Sequence, residues 1–193
     1  MKQKISIFGS TGSIGDTVFR LLNKNKKKFK IYILASNKNY KKIYFQIKKY
    51  RPKYYIIFDY KTFIKIKKNL NSKNTKILSS KEFKNFKFNT SHISVSAIPG
   101  IAGLEPTLKL ISLSKKVLIA NKESIICGWN LIEKKARKYK TSIFPIDSEH
   151  FSVMNLIKGV QKQEIEKIYL TASGGPFLNY PQRKMKKIKP SQA

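Results

Sequence analysis

GSTGSIG, at residues 9–15, directly follows the apolar run ISIF of residues 5–8 and precedes an amphipathic stretch. A glycine-rich turn between a first strand and a first helix is the place where dinucleotide-binding folds hold a pyrophosphate. The position of the turn therefore predicts a nucleotide site, and the alternative is a glycine turn that serves chain reversal alone.

Each glycine of this turn has a predicted task. Gly9 permits a tight exit from the strand, Gly12 lets the backbone approach phosphates, and Gly15 lets the helix pack close to the sheet. The amides of the helix N-terminus, together with the hydroxyls of Thr11 and Ser13, are then expected to face the anion.

The rest of the chain alternates short β-branched or aromatic runs with longer lysine-rich amphipathic ones, a pattern typical of βα units around a parallel sheet. Strands are predicted at residues 4–8, 30–34, 54–58, 92–96, 116–120 and 142–146. Helices are predicted at residues 13–23, 40–50, 61–70, 80–88, 103–114 and 123–139. The fold class is therefore α/β, with a Rossmann-like, doubly wound parallel sheet.

After residue 146 the alternation becomes irregular, with a helix predicted at residues 149–157 and a strand at residues 167–171. We therefore predict two domains. Residues 1–146 form the nucleotide-binding domain, and residues 147–193 are expected to begin a second, α+β catalytic domain that is incomplete.

The formal net charge of +31 arises from 41 Lys and Arg against 10 Asp and Glu. Only four of these cations are Arg, the residue that forks onto phosphates and base edges, and the lysines are spread over every segment. We therefore expect no nucleic-acid partner, although the charge should attract anionic small molecules toward a cleft.

No segment approaches the ~20 consecutive apolar residues that cross a membrane, and the start of the chain lacks the apolar region of a signal peptide. We expect no membrane partner and a cytoplasmic location. The single cysteine, Cys127, cannot form an internal disulfide, in keeping with a reducing compartment.

The choice of cofactor is predicted from the end of the second strand, where NAD-preferring folds carry a carboxylate for the ribose hydroxyls. Here the sequence is Ser36, Asn37, Lys38, Asn39, which offers donors and a cation suited to a 2′-phosphate. This segment predicts NADPH rather than NADH. Alternatively, Asn37 and Asn39 only form the loop.

FPIDSEHF, at the end of the sixth predicted strand, carries Asp147 and Glu149. On an extended segment a spacing of two points both carboxylates the same way, as half of a Mg²⁺ or Mn²⁺ site requires. The spacing is equally typical of a helix start, with Asp147 or Ser148 as the cap and Glu149 in the first turn.

Two further segments add polar groups. ANKES, at residues 120–124, places Asn121, Lys122 and Glu123 at the end of the fifth predicted strand, and TASGGPF, at residues 171–177, offers backbone amides and Ser173 to a phosphate. Either segment alone is also explained as an ordinary connection.

Together, GSTGSIG, NKN, ANKES, PIDSEH and TASGGPF occur in the order and roughly the spacing of the 1-deoxy-D-xylulose 5-phosphate reductoisomerase family. The chain resembles this family over essentially its whole length. GSTGSIG is shared with other NADPH enzymes, whereas ANKES followed by DSEH and SGGPF is specific.

The resemblance implies an oxidoreductase that converts 1-deoxy-D-xylulose 5-phosphate, a phosphorylated sugar, to 2-C-methyl-D-erythritol 4-phosphate in non-mevalonate isoprenoid synthesis. It implies NADPH and Mg²⁺ or Mn²⁺ as cofactors, and a homodimer for the full-length protein. The implied NADPH contacts are Thr11, Gly12, Ser13, Ile14, Asn37, Lys38, Asn39, Asn121 and Glu123. The implied substrate contacts are Lys122, Ser148 and Ser173, the metal ligands are Asp147 and Glu149, and the catalytic residues are Lys122, Asp147 and Glu149.

The family's third carboxylate ligand, its lid histidine and its Ser, Asn and Lys phosphate cluster have no counterpart in these residues. We therefore expect the 193 residues alone to bind NADPH but to turn over little or no substrate. The alternatives are another two-domain NADPH enzyme, such as a semialdehyde or homoserine dehydrogenase, a lysine-rich polyanion binder, and a non-catalytic remnant.

Overall fold

The computed structural model describes residues 2–169, 177 and 179–189. Its strands are Gln3–Phe8 (β1), Phe29–Ser36 (β2), Tyr54–Ile57 (β3), Lys76–Ser79 (β4), Ser91–Ser96 (β5), Ser114–Ile119 (β6) and Ser142–Pro145 (β7). Its helices are Ser13–Lys24 (α1), Tyr40–Tyr50 (α2), Tyr60–Asn69 (α3), Ser80–Asn85 (α4), Leu104–Ser112 (α5), Lys122–Tyr139 (α6), Ser148–Leu156 (α7) and Gln182–Met185 (α8).

The strands form one parallel sheet in the order β4-β3-β2-β1-β5-β6-β7. The chain winds outward from β1 through β2 and β3 to β4, and then returns to the other side of β1 with β5. The strand order therefore reverses between β1 and β5, which is where open α/β sheets form a ligand crevice at the carboxyl ends of the strands. The predicted Rossmann-like parallel sheet is confirmed.

Alternate residues of the strands pack into two separate cores, one on each face of the sheet. Ile7 and Leu34 contribute to the core beneath α1, α2 and α3, whereas Phe8 and Ile33 contribute to the core beneath α4, α5 and α6. A parallel sheet covered on both faces needs apolar side chains on both sides of each strand, which explains the continuous apolar runs of the sequence.

Two predictions about strands were incomplete or wrong. β4 was missed because its apolar run is only two residues long, Ile77 and Leu78, and the chain before it is polar. Of the strand predicted at residues 167–171, the described residues 167–169 adopt no strand, and the remaining two lie outside the described part of the chain.

The chain divides into two compact units, Met1–Asp147 and Ser148–Ala193. The first unit contains the whole sheet and α1 to α6. In the second unit, α7 has no buried residue, although it carries Phe151 and Leu156. Among the described residues, no helix is long and apolar enough to cross a membrane.

Candidate functional site

A cleft of about 460 Å³ lies at the carboxyl ends of β1, β2, β3 and β5, where the strand order reverses. Its polar wall consists of Gly9, Thr11, Gly12, Ser36 and Asn37. The glycine turn and the end of the second strand, which sequence reasoning assigned to one nucleotide, thus line one cleft.

The turn itself requires glycine at two positions because the backbone packs too closely for a side chain. Gly9 has a φ of +88°, and a Cβ on it would lie 2.3 Å from the carbonyl oxygen of Ala97 after β5. A Cβ on Gly15 would lie 2.4 Å from the carbonyl oxygen of Ser10. The turn is therefore pressed against β5 on one side and against α1 on the other, as the sequence predicted for these two residues.

The N-terminus of α1 opens toward the solvent from this turn. Gly12 is the N-cap and provides no side-chain cap bond, while Gly12, Ser13 and Ile14 are all exposed. The first amides of a helix have no partner within the helix, and they carry the positive end of its dipole. The arrangement can therefore accept an anion of the size of a phosphate.

A cation lies beside the same turn. The Lys42 Nζ atom, on α2, donates to the Thr11 carbonyl oxygen at 3.0 Å and forms an ion pair with Asp16 at 2.6 Å. The ion pair is half-exposed, so its net stabilisation is small, but it places the lysine ammonium group beside the glycine turn.

The segment after β2, residues 37–39, is exposed to solvent and also caps α2. Asn37, Lys38 and Asn39 are all exposed, as a site for a 2′-phosphate requires. Asn39 also caps α2, because its side chain accepts a hydrogen bond from the Lys42 amide at 3.1 Å. Both interpretations of Asn39, as a loop former and as a cofactor contact, therefore remain compatible with its position.

Ser36 does not serve as predicted. Its side chain is buried, and its hydroxyl lies 3.0 Å from the Tyr55 hydroxyl. The hydroxyl therefore belongs to the core and is not a donor for a 2′-phosphate.

The charge of Lys38 acts on the carboxylate of Asp59. The Asp59 side chain caps α3, and hydrogen bonding from Thr62, assisted by the charge of Lys38, lowers the pKa of Asp59. Lys38, in the segment expected to meet the 2′-phosphate, thus also stabilises the charged form of Asp59.

Sequence reasoning missed the apolar wall of the cleft. Phe58 follows β3, and the remaining members lie in or after the β5–α5 connection: Ala97, Ile98, Pro99, Ala102 and Pro106. The signal was present, because AIPGIAG follows a strand and contains a Pro-Gly turn pair, and β5 is the neighbour of β1.

Asn121 occupies a different role from the one predicted. It is only 4% exposed, its side chain caps α6 by accepting from the Ser124 amide at 2.9 Å, and its amide group donates to the carbonyl oxygens of Ile98 and Gly100. The Asn121 side chain is thus committed to holding the β5–α5 connection. Any contact of Asn121 with a cofactor would have to use its backbone.

The neighbouring Lys122 and Glu123 are exposed in the first turn of α6. They lie after β6, at the same sheet edge as the cleft, but they are not among the residues that line it. Their assignment to substrate and cofactor stays a prediction.

The local geometry around Asp147 and Glu149 differs from the prediction. The extended segment ends with β7 at Pro145, and α7 begins at Ser148, so Glu149 lies in the first turn of a helix rather than on a strand. The argument that both side chains point the same way on an extended chain is therefore wrong. Asp147, partly buried, immediately precedes the helix, as the cap alternative expected.

The two remaining predicted substrate residues are less informative. Ser148 is exposed and begins α7. Ser173, with the rest of residues 171–176, lies outside the described residues. Within the described part of the chain, no three His, Cys, Asp or Glu residues cluster as a metal site would require.

Comparison with known proteins identifies the family. The model of the 1-deoxy-D-xylulose 5-phosphate reductoisomerase family matches residues 5–128, and the model of the C-terminal domain of that enzyme matches residues 143–193. The chain is 47% identical over 189 residues to the 1-deoxy-D-xylulose 5-phosphate reductoisomerase of Pelagibacter ubique (strain HTCC1062), covering 96% of this chain and 49% of that protein. It is 40% identical over 193 residues to that of Wolbachia pipientis subsp. Culex pipiens (strain wPip), covering 99% and 49%. The chain spans about half the length of the curated relatives it matches.

Solved structures of reductoisomerases resemble this chain as well. The Zymomonas mobilis reductoisomerase in complex with NADPH superposes with a TM-score of 0.71 at 28% identity, over 77% of this chain and 40% of that one. A DOX-P reductoisomerase in complex with NADPH, fosmidomycin and magnesium gives a TM-score of 0.73 at 29% identity, over 99% of this chain and 50% of that one. The first of the two family models covers residues 5–128, which is more than half of the 193 residues. The chain therefore belongs to the 1-deoxy-D-xylulose 5-phosphate reductoisomerase family.

Proposed function

We propose that this chain binds NADPH in the cleft at the glycine turn and contributes part of the metal and substrate site for converting 1-deoxy-D-xylulose 5-phosphate to 2-C-methyl-D-erythritol 4-phosphate. Membership of the family supports the reaction, and the solved relatives bound to NADPH, fosmidomycin and magnesium support the ligands. When bound, NADPH would supply the reducing equivalents, and a divalent cation would polarise the oxygens of the substrate.

One observation carries the cofactor assignment. Unlike Gly9 and Gly15, Gly12 is not required by the fold: its φ is −85°, and an added Cβ would meet only the Gly9 carbonyl oxygen, at 3.4 Å. A glycine that packing does not demand, at an exposed helix N-terminus in a cleft, fits a backbone that must come close to a phosphate. Thr11, Gly12, Ser13 and Ile14 would then hold the pyrophosphate.

We expect Gly12→Ala to fold like the unaltered protein and to bind NADPH at least about tenfold more weakly, because the new methyl group occupies the space of the anion. A fluorescence titration with NADPH gives the dissociation constant, and circular dichroism checks the fold. Unchanged NADPH affinity in a folded Gly12→Ala protein would contradict the cofactor assignment.

The same titration with NADH tests the 2′-phosphate site. Asn37, Lys38 and Asn39 are exposed after β2 and none is a carboxylate, so we propose that they receive the 2′-phosphate. NADPH should therefore bind more tightly than NADH, and equal affinities would count against these three residues.

The position of β7 is compatible with a shared site along the sheet edge. β7 lies three strands from β1, which corresponds to about 14 Å across the sheet. A dinucleotide laid along the carboxyl edge, with its pyrophosphate at Gly12, would run in this direction. We propose that its nicotinamide end points toward Lys122 and Asp147.

The carboxylates of Asp147 and Glu149 have the hard oxygen donors that Mg²⁺ and Mn²⁺ prefer, and we propose them as metal ligands. Two carboxylates without a third ligand would hold a divalent cation weakly, and the described residues contain no larger cluster. We propose Lys122, Ser148 and Ser173 for the phosphorylated substrate.

Asp147→Asn and Glu149→Gln test the metal assignment independently of turnover. Each keeps the shape of the side chain and removes its charge, so we expect each to weaken Mn²⁺ binding about tenfold, as measured by calorimetry on the purified protein. Glu133→Gln, at a partly exposed position of α6 where Glu133 pairs with Arg137, is the matched control and should leave Mn²⁺ binding unchanged. Equal Mn²⁺ affinity in all three variants and the unaltered protein would refute the assignment.

A further inference from the structure

Four polar side chains are buried together beneath the glycine turn. Ser10, Ser36 and Gln46 are each at most 3% exposed, and Tyr55 is 0% exposed. They come from four different elements: the turn itself, the end of β2, the middle of α2 and β3. Their neighbours in the core, such as Leu34 and Ile47, are apolar.

Hydrogen bonds connect all four. The Tyr55 hydroxyl donates to Gln46 Oε1 at 2.7 Å, and Ser10 Oγ donates to the same oxygen at 2.8 Å. The Tyr55 hydroxyl also lies 3.0 Å from Ser36 Oγ, whose proton it can accept. Each hydroxyl proton thus has an acceptor inside the network, which we call the turn network.

Gln46 also fixes the backbone of the turn. Its Nε2 atom donates to the carbonyl oxygen of Ser10 at 2.8 Å, so one side-chain amide holds both the main chain and the side chain of Ser10. Ser10 lies between Gly9 and Thr11, and it is fully buried while Gly12 and Ser13 are exposed. The orientation of the amides that follow Ser10 therefore depends on this anchor.

The turn network joins the two segments expected to meet different parts of the cofactor. Ser10 belongs to the turn that receives the pyrophosphate, and Ser36 immediately precedes Asn37, in the segment that receives the 2′-phosphate. Tyr55 lies within hydrogen-bonding distance of both serines, 3.2 Å from Ser10 Oγ and 3.0 Å from Ser36 Oγ. The buried Tyr55 hydroxyl therefore helps to fix the position of the glycine turn relative to the segment after β2.

The turn network destabilises the fold unless each of its buried polar groups has a hydrogen-bond partner. A buried polar group without a partner destabilises a fold, whereas an apolar core would carry no such risk. Burial raises the pKa of Tyr55 to about 12, so its hydroxyl remains a donor throughout the physiological range. Apolar side chains at these positions could stabilise the core equally well. The polar side chains are therefore explained by the single geometry that they impose on the turn.

We propose that Tyr55 and Gln46 are positioning residues that hold the glycine turn and the segment after β2 in one fixed relation, and so determine both the affinity for NADPH and the preference for NADPH over NADH. Neither residue needs to touch the cofactor. The inference rests on the proposed function of the cleft.

Tyr55→Phe is the direct test, because it removes one hydroxyl and leaves the ring in the core. We expect the NADPH dissociation constant to rise about tenfold and the NADH constant to rise about threefold, since only NADPH uses both segments. The preference for NADPH, which is the NADH dissociation constant divided by the NADPH dissociation constant, should therefore fall about threefold when both are measured by fluorescence titration.

Tyr32→Phe is the matched control. Tyr32 is also buried, at 3% exposed, and its hydroxyl accepts a hydrogen bond from the Asn89 amide at 3.1 Å, but it packs in the core on the other face of the sheet. This variant should lose thermal stability to a similar extent and keep the NADPH and NADH constants of the unaltered protein. If Tyr55→Phe loses stability but binds both nucleotides as Tyr32→Phe does, its role is structural and the proposal is wrong.

Ser36→Ala covers the case in which Tyr55→Phe does not fold. It removes only the outermost donor of the turn network, so the fold should persist and the preference for NADPH should fall. An unchanged preference in folded Ser36→Ala would overturn the proposal. If the unaltered protein does not bind NADPH, the proposed function itself fails, and this inference fails with it.

Discussion

Gly15→Ala is expected to lower the free energy of unfolding by about 3 kcal/mol. A Cβ at this position would lie 2.4 Å from the carbonyl oxygen of Ser10 and 2.8 Å from that of Gly9, and both are backbone atoms that cannot rotate away. Alanine would recover about 1 kcal/mol through its helix propensity, but moving α1 off the turn costs more.

The effect should extend beyond α1. The Ser10 carbonyl oxygen that the new methyl group would meet also accepts the Gln46 bond, so any shift of the turn breaks the network below it. A loss of this size is a large part of the 5 to 15 kcal/mol that stabilises a typical domain. Urea denaturation followed by circular dichroism measures it.

Gly12→Ala is the internal control for Gly15→Ala. It introduces the same methyl group three residues earlier, where the nearest backbone oxygen is 3.4 Å away, so we expect a loss below about 1 kcal/mol. The two substitutions should separate folding from binding: Gly15→Ala mainly lowers stability, and Gly12→Ala mainly lowers NADPH affinity. Similar stability of the two variants would show that α1 does not pack as closely as described.

The sheet was predictable because each of its long elements repeats one simple pattern. α2 was predicted at its observed bounds, since its apolar residues recur at helical spacing. β4 was not predicted because two adjacent apolar residues are too few to show the alternation of a strand. A short edge strand is identified by the strand with which it pairs, and the sequence does not show this pairing.

The site was predictable in part, and the local geometry at Asp147 and Glu149 was the part that sequence spacing could not decide. The glycine turn and Asn37 do line the cleft, because strand ends of a parallel sheet meet at one edge. For Asp147 and Glu149 the spacing left two alternatives open, an extended segment and a helix start, and the helix does start at Ser148. Two residues of spacing fit both alternatives, so only the structure could decide between them.

Buried polar contacts were the hardest features to predict. Gln46 recurs with Ile43 and Ile47 on the buried face of α2, which indicates a buried amide, but its partner Tyr55 lies in another element. Asn121 was assigned to the cofactor although its side chain holds a connection 20 or so residues earlier, at Ile98 and Gly100. Long-range hydrogen bonds of this kind leave no periodic trace in a sequence.

Asn121→Ala is expected to lower the free energy of unfolding by about 3 kcal/mol and to weaken NADPH binding. Loss of the α6 cap accounts for about 1 kcal/mol, and the carbonyl oxygens of Ile98 and Gly100 each lose a donor, which together costs about 2 kcal/mol. Because Ile98 also lines the cleft, a released β5–α5 connection would disturb its apolar wall.

Asn39→Ala separates the two contributions of Asn121. Asn39 also caps a helix, by accepting from the Lys42 amide, but it is exposed and, among the hydrogen bonds described, holds no distant carbonyl group. Its replacement should therefore cost only the ~1 kcal/mol of a cap. The difference of about 2 kcal/mol between the variants, measured by urea denaturation, is the part due to anchoring the connection. If the two variants lose the same stability, Asn121 acts as a cap alone, and the geometry of the apolar wall must depend on other contacts.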